Sequence, residues 1–188
     1  MANSPSSAPQ RWQAGFSVVE ALVAVTILAT LAMLAVPAMA DLAARQRLRG
    51  AADNLRADLQ FARSEAVKRG VHVFVAFSPG VAWCYAVTLD AACGCSVSCA
   101  SPDALLRQTM STEAASGVEL HSAAFAGTLC GAQECVRFDA FHGKALGSNG
   151  TALFRGAEGS QYKVIVAPLG RPRVCRASGD GAGWQPKC

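Results

Sequence analysis

Residues 21–40 (ALVAVTILATLAMLAVPAMA) run for twenty positions without a charge, about the length a helix needs to cross a bilayer. Upstream, residues 1–15 are polar, rich in Ser and Pro, and carry one cation, Arg11. Downstream, Leu48, Ala52, Leu55, Leu59, Ala62 and Ala66 recur at helical spacing, which predicts one apolar stripe. Arg49, Asp53 and Arg56 fall on another face at ion-pair spacing. Lys68-Arg69 followed by Gly70 supplies a helix stop. The pattern predicts one helix over 16–69, apolar in its first half and amphipathic in its second. Pro37 withdraws a helix hydrogen bond, so a kink or local melting is expected there.

Beyond Gly70 the period changes to two. Val71, Val73, Val75 and Phe77 alternate along a strand that ends at the turn Pro79-Gly80. Further strands are predicted at Trp83–Leu89, Leu105–Met110, Gly117–Ala123 and Tyr162–Ala167, with Arg171–Cys175 following a turn at Gly170. Cys135–Phe141 and Ala145–Leu146 flank Gly143 as in a hairpin. The amphipathic half of the helix needs a sheet to cover its stripe, so the predicted class is α+β, one helix packed on an antiparallel sheet. No internal repeat is visible.

Composition sharpens this picture. The chain is 52% hydrophobic and 16% charged, against roughly 25% charged in soluble domains, which excludes a disordered protein. The net charge of +4 is mild, but it is unevenly spread. Residues 70–136 hold one Lys or Arg against five Asp or Glu, and residues 137–188 hold eight against three. An acidic middle thus precedes a basic C-terminal quarter.

The residues around the apolar run carry a resemblance. Gly15-Phe16-Ser17-Val18-Val19-Glu20, then the uncharged run with Pro37, resembles the N-terminus of type IV prepilins and pseudopilins. The resemblance implies cleavage after Gly15 by a prepilin peptidase and methylation of the new N-terminal Phe16. It also implies an inner-membrane anchor that later enters a filament core. A cleaved secretory signal is the alternative, but its apolar core is usually about 7–15 residues. Glu20 is costly at a membrane margin without a partner, and the amine of Phe16 on a neighbouring subunit supplies one. A plain interfacial carboxylate is the competing reading of Glu20. Arg45, Arg47 and Arg49 follow the span, so the positive-inside rule does not by itself orient it. The orientation comes from the resemblance and from the cysteines, all beyond the span. The implied organisation is a leader at 1–15, a transmembrane and filament-core helix at 16–40, and a globular domain at 41–188 (helix 41–69, sheet 71–188). That domain is expected in the periplasm, and on a surface pilus after assembly.

FARSEAVKRG (61–70), VRFDAFHGKA (136–145) and VIVAPLGRPRVC (164–175) narrow the resemblance to the FimT/GspH branch of minor pilins and pseudopilins. The Cys-rich loop 91–100 departs from the branch pattern. Eight cysteines are present: Cys84, Cys93, Cys95, Cys99, Cys130, Cys135, Cys175 and Cys188. In an oxidising compartment they imply disulfides. A zinc site at Cys84, Cys93, Cys95 and Cys99 is the alternative, but its spacing lacks paired C-x₂-C knuckles. Cys175 and Cys188 bracket the tail containing Gly179, Gly181 and Gly183, and their pairing is expected; Cys130 with Cys135 would close a shorter loop. His72, His121 and His142 fit no metal or catalytic pattern. No phosphate loop or dinucleotide fingerprint occurs. The reading is a non-enzyme without metal or cofactor.

The remaining signal is Gly170-Arg171-Pro172-Arg173, with Lys163 and Arg176 nearby and Lys144 and Arg155 earlier in the basic region. Two guanidiniums two residues apart share a face of extended chain, and each suits phosphate oxygens. A Gly-Arg-x-Arg element near the C-terminus resembles the one by which FimT-type minor pilins hold DNA during natural transformation. Three readings stand at this point. The first is non-specific DNA binding through Arg171 and Arg173 with support from Lys163 and Arg176. The second is internal or intersubunit pairing of the two arginines with acidic residues of 70–136. The third is a type II secretion pseudopilin that contacts other pilins alone.

Overall fold

The computed structural model describes residues 17–95, 97–127, 130, 134–156, 159–178 and 188. Gly15, Phe16, Gly179, Gly181 and Gly183 lie outside them. By its internal contacts the chain divides into residues 1–40 and 41–188.

In the first unit the described chain is helical from Val18, within a helix α1 that is assigned over Val18–Arg69. It is assigned as helix through position 37, so the local melting that the sequence pattern allows there does not occur. A proline withdraws one hydrogen bond and leaves those on either side available. Leu22, Ile27, Leu28 and Leu31 of this unit are exposed. Among the described residues no helix is long and apolar enough to cross a membrane. The uncharged run 21–40 includes Leu34, Pro37 and Ala38, whose side chains lie outside the description.

In the second unit the apolar stripe does what its spacing predicts. Leu48, Ala52, Leu55, Leu59, Ala62 and Ala66 are all buried in one core with residues of both sheets. Arg49 and Asp53 pair at 3.4 Å on the outer side. Among the described residues eight antiparallel strands follow: β1 Val73–Ser78, β2 Cys84–Thr88, β3 Leu105–Met110, β4 Val118–Phe125, β5 Glu134–Phe138, β6 Gly150–Gly156, β7 Gln161–Val166 and β8 Pro172–Ser178. They form two four-stranded sheets, ordered β3-β2-β1-β5 and β4-β6-β7-β8, rather than the single sheet the pattern suggested. The sheets are linked where Gly80 and Leu120 exchange backbone hydrogen bonds at 2.8 and 3.2 Å. Trp83 Nε1–H also donates to the Val118 carbonyl at 2.8 Å.

Two elements differ from the sequence pattern. Residues 145–146 are not a strand, because Asp139 captures the backbone here. Its carboxylate accepts from the N–H groups of Phe141, His142 and Lys144, a turn that competes with ladder bonding. Strand β6 has no counterpart in the pattern. Its Gly150 sits where a Cβ would lie 2.1 Å from the Ala124 carbonyl oxygen, so the position takes no side chain.

A polar link fastens the helix to the first sheet. Buried Asp58 accepts from the Tyr85 hydroxyl at 2.8 Å and pairs with Arg107, whose guanidinium lies 4.4 Å from the Phe61 ring centroid. Burial first, and then the Asp58 carboxylate, hold the Tyr85 phenol well above its usual pKa. Every cysteine is bridged: Cys84–Cys95, Cys93–Cys99, Cys130–Cys135 and Cys175–Cys188. The Cys-rich loop thus has a structural role. All five residues of β2 are buried, so both faces are covered. The loop 91–100 is tied to β2 through Cys84, while Cys130–Cys135 and Ala91 pack on Ala76 of β1.

Candidate nucleic-acid interface at the β7–β8 hairpin

The basic element falls on a tight hairpin. Strands β7 and β8 pair with Lys163 opposite Cys175, Ile165 opposite Arg173 and Val166 opposite Pro172. Beyond them Ala167 N–H donates to the Arg171 carbonyl at 3.2 Å, and Gly170 N–H to the Ala167 carbonyl at 2.8 Å. Alternation places Val164, Val166 and Val174 in the core. It therefore turns Lys163 and Arg173 to the opposite, outward face, on diagonal positions of adjacent strands about 7–8 Å apart. Arg171 and Arg173 are exposed and Lys163 is half-buried.

Arg176 is not part of this group. It stands opposite Tyr162 on the same side of the strand as Val174. Its place is taken by a residue the sequence did not single out for the site. A Cβ at Gly170 would lie 3.3 Å from Lys144 Cα, so the loop after Asp139 delivers Lys144 beside the hairpin. The assembled cations are Arg171, Arg173, Lys163 and Lys144. Among the described residues none of the four side chains is paired with a carboxylate. Three carboxylates of the acidic middle are engaged elsewhere: Asp90 accepts from Ala92 N–H at 2.9 Å, Glu119 lies 3.5 Å from His121, and Glu134 accepts from Phe125 N–H at 3.2 Å.

Gly170 is required for docking as much as for turning. Its φ is +73°, a region that favours glycine, and a Cβ there would sit 2.0 Å from the Gly143 carbonyl oxygen. Gly143 in turn packs on Arg63 and Val67 of α1, and Ala145 N–H donates to the Pro168 carbonyl at 2.9 Å. Helix, loop and hairpin are stacked through two glycines. Gly170→Ala is expected to cost about 3 kcal/mol, from the disfavoured backbone region and the backbone clash together. Chemical denaturation of the full-length protein in detergent checks this.

Asp139 is the anchor of the same loop. Its partial burial alone would raise its pKa, but the N–H donors of His142, Lys144 and Phe141 prevail and hold it at about 2, below its ordinary 3.8. A depressed folded-state value means that the stabilisation is complete above about pH 4 and is lost as pH falls toward about 2. Asp139→Asn keeps one acceptor and loses this pH dependence. The stability gap between wild type and variant is expected to close between about pH 4 and pH 2, read by thermal melts across that range.

Cys175 and Cys188 are bridged with Cα atoms 5.1 Å apart, and Cys188 N–H donates to the Arg176 carbonyl at 3.1 Å. The end of the chain is thereby pinned along the outer edge of β8. The four cysteines weighed for zinc, Cys84, Cys93, Cys95 and Cys99, are two disulfides. Glu20 lies in the first turn of α1 and is exposed.

No curated protein matches the chain, and no solved structure does. A family model described as type II transport protein GspH matches residues 51–170, 120 of the 188. The match takes in α1 from Ala51 to its end, both sheets up to the hairpin and Gly170, and it ends just before Arg171 and Arg173. The helix stripe, the strands it covers and this match agree: the chain belongs to the GspH family of minor pilins and pseudopilins.

Proposed function

We propose that this chain is a minor pilin of a DNA-uptake pilus, and that it holds extracellular DNA without sequence preference during natural transformation. What supports the reading is the outward presentation of Arg171 and Arg173, exposed, on one face of a braced hairpin, and unpaired among the described residues. Lys163 and Lys144 flank them. Each cation offers donors to phosphate oxygens, and two exposed arginines side by side can engage neighbouring phosphates. Among the described residues of the hairpin and its neighbouring turn no helix is offered to a groove for reading bases, so contact is to the backbone and independent of sequence. Single-site affinity is weak, and several copies along a filament raise it by avidity. The protein performs no chemistry on the DNA. Binding of labelled DNA by the full-length protein, titrated with salt, tests the reading.

As a pilin the chain begins life in the inner membrane, with residues 21–40 as anchor and the globular unit in the periplasm, where disulfides form. A prepilin peptidase removes residues 1–15, Phe16 is methylated, and Glu20 meets the Phe16 amine of a neighbouring subunit. Mass spectrometry of protein from native membranes is expected to find an N-terminus at methylated Phe16. An intact Met1, or cleavage beyond Pro37, contradicts it.

The family description favours a second reading, a type II secretion minor pseudopilin whose partners are other pseudopilins. In that case the four cations face a neighbouring subunit, and the soluble face shows no salt-sensitive affinity for DNA.

A further inference from the structure

The DNA reading leaves one feature of the hairpin unused. Phe141 is 82% exposed, the most exposed large apolar side chain described. Its position is not loose. Its N–H donates to Asp139 Oδ1 at 2.8 Å, the neighbouring His142 N–H does the same at 2.8 Å, and Gly143 N–H closes the turn on the Asp139 carbonyl at 3.0 Å. The turn is locked onto the hairpin where Gly143 meets Gly170. Phe141 is two residues from that contact and Arg171 is one, so both are carried by the two segments that meet there. Leu146 and Leu169, on the same two segments, are each more than half exposed.

A large apolar surface held in water by a rigid turn marks an interaction site. The charges around it argue for its occupant. Lys144 lies in the same turn and Arg171 follows Gly170 directly, while the carboxylate of the turn, Asp139, is spent on three backbone N–H groups. A planar apolar face on a turn that meets a cationic hairpin is complementary to a nucleobase attached to its phosphate.

We propose that Phe141 is a stacking platform for an unpaired nucleobase, so that the hairpin binds single-stranded DNA, or a frayed duplex end, more tightly than an intact duplex of equal charge. The inference rests on the DNA-binding reading. In a duplex the base faces are covered by their neighbours, and the arginines alone are engaged. In a single strand the cations hold two or three phosphates while a base turns onto the ring.

The test uses the full-length protein in detergent micelles, with a fluorescently labelled twenty-nucleotide oligo-dT and a twenty-base-pair duplex as probes at one salt concentration. Phe141→Ala is expected to weaken oligo-dT binding by about fivefold to a hundredfold, to change duplex binding less than twofold, and to leave the salt slope unchanged. Phe141→Trp is expected to retain oligo-dT affinity and to show indole quenching on binding. If wild type binds DNA and Phe141→Ala binds oligo-dT equally well, the stacking platform is overturned while the cationic site stands. Equal weakening for both probes overturns the single-strand preference. If wild type binds neither probe in a salt-sensitive way, the DNA reading itself fails. Loss of capture of a partner pilin by Phe141→Ala, with DNA binding intact, assigns the ring to a protein contact and overturns the inference.

Discussion

Replacing Arg171 and Arg173 together with alanine is expected to weaken DNA binding about a hundredfold. Each exposed guanidinium makes charge-assisted hydrogen bonds to phosphate, worth roughly 1.5–3 kcal/mol, and the two act on one face. The fold is expected to survive, because both side chains are exposed and the residue between them, Pro172, keeps its place against Val166. Arg176→Ala is the internal control. It removes the same charge from the same strand but from the other face, and its effect should stay under about threefold. Fluorescence anisotropy on the three proteins separates a located site from general basicity. Equal losses for all of them would mean that net charge, not the hairpin, binds DNA.

The second large effect concerns the disulfides. Cys84 and Cys95 are separated by 11 residues, and opening a loop of that size is expected to cost about 3 kcal/mol in the chain-entropy picture. The bond also holds the loop 91–100 to β2, where Ala86 and Thr88 are fully buried. A Cys84→Ser/Cys95→Ser variant is therefore expected to melt about 6–12 °C below wild type, and reduction of all four bonds should lower the melting point further. Differential scanning calorimetry with and without reductant measures this, and non-reducing peptide mapping checks the pairing. A variant with the wild-type melting point would show that the loop adds nothing to the core.

Why some of this was legible in the sequence follows from length of pattern. The stripe from Leu48 to Ala66 spans five helical turns, and its six residues all reach the core. Val73–Ser78 and Tyr162–Val166 are rich in β-branched and aromatic residues and form strands. Strand β6 left little trace, because Thr-Ala-Leu-Phe-Arg between glycines is short and its position depends on Gly150 fitting against Ala124. The turn at 139–145 read as a hairpin because the pattern cannot weigh one carboxylate against several ladder bonds. At the site, the alternation of Arg171 and Arg173 is readable, whereas the parity that separates Arg176 depends on β8 running on to Ser178, beyond the Cys175 end that the pattern predicts. Lys144 is distant in sequence and is brought in by the glycine contact and by the Ala145 N–H bond to the Pro168 carbonyl. The link from Asp58 to Tyr85 and Arg107 also spans distant segments, and no local spacing announces it.

The four-cation site makes its sharpest statement in salt. Contacts from Arg171, Arg173, Lys163 and Lys144 predict that log affinity for duplex DNA falls with log salt at a slope of about −3.6, and at about −1.8 once both arginines are alanine. The deciding measurement is this pair of slopes, taken by anisotropy on the full-length protein between 50 and 200 mM salt, roughly the range over which phosphate contacts are felt. A slope near −3.6 that halves in the double variant is the predicted result. A slope near zero, or one that the double variant leaves unchanged, contradicts DNA binding at this hairpin and makes the secretion pseudopilin the better account.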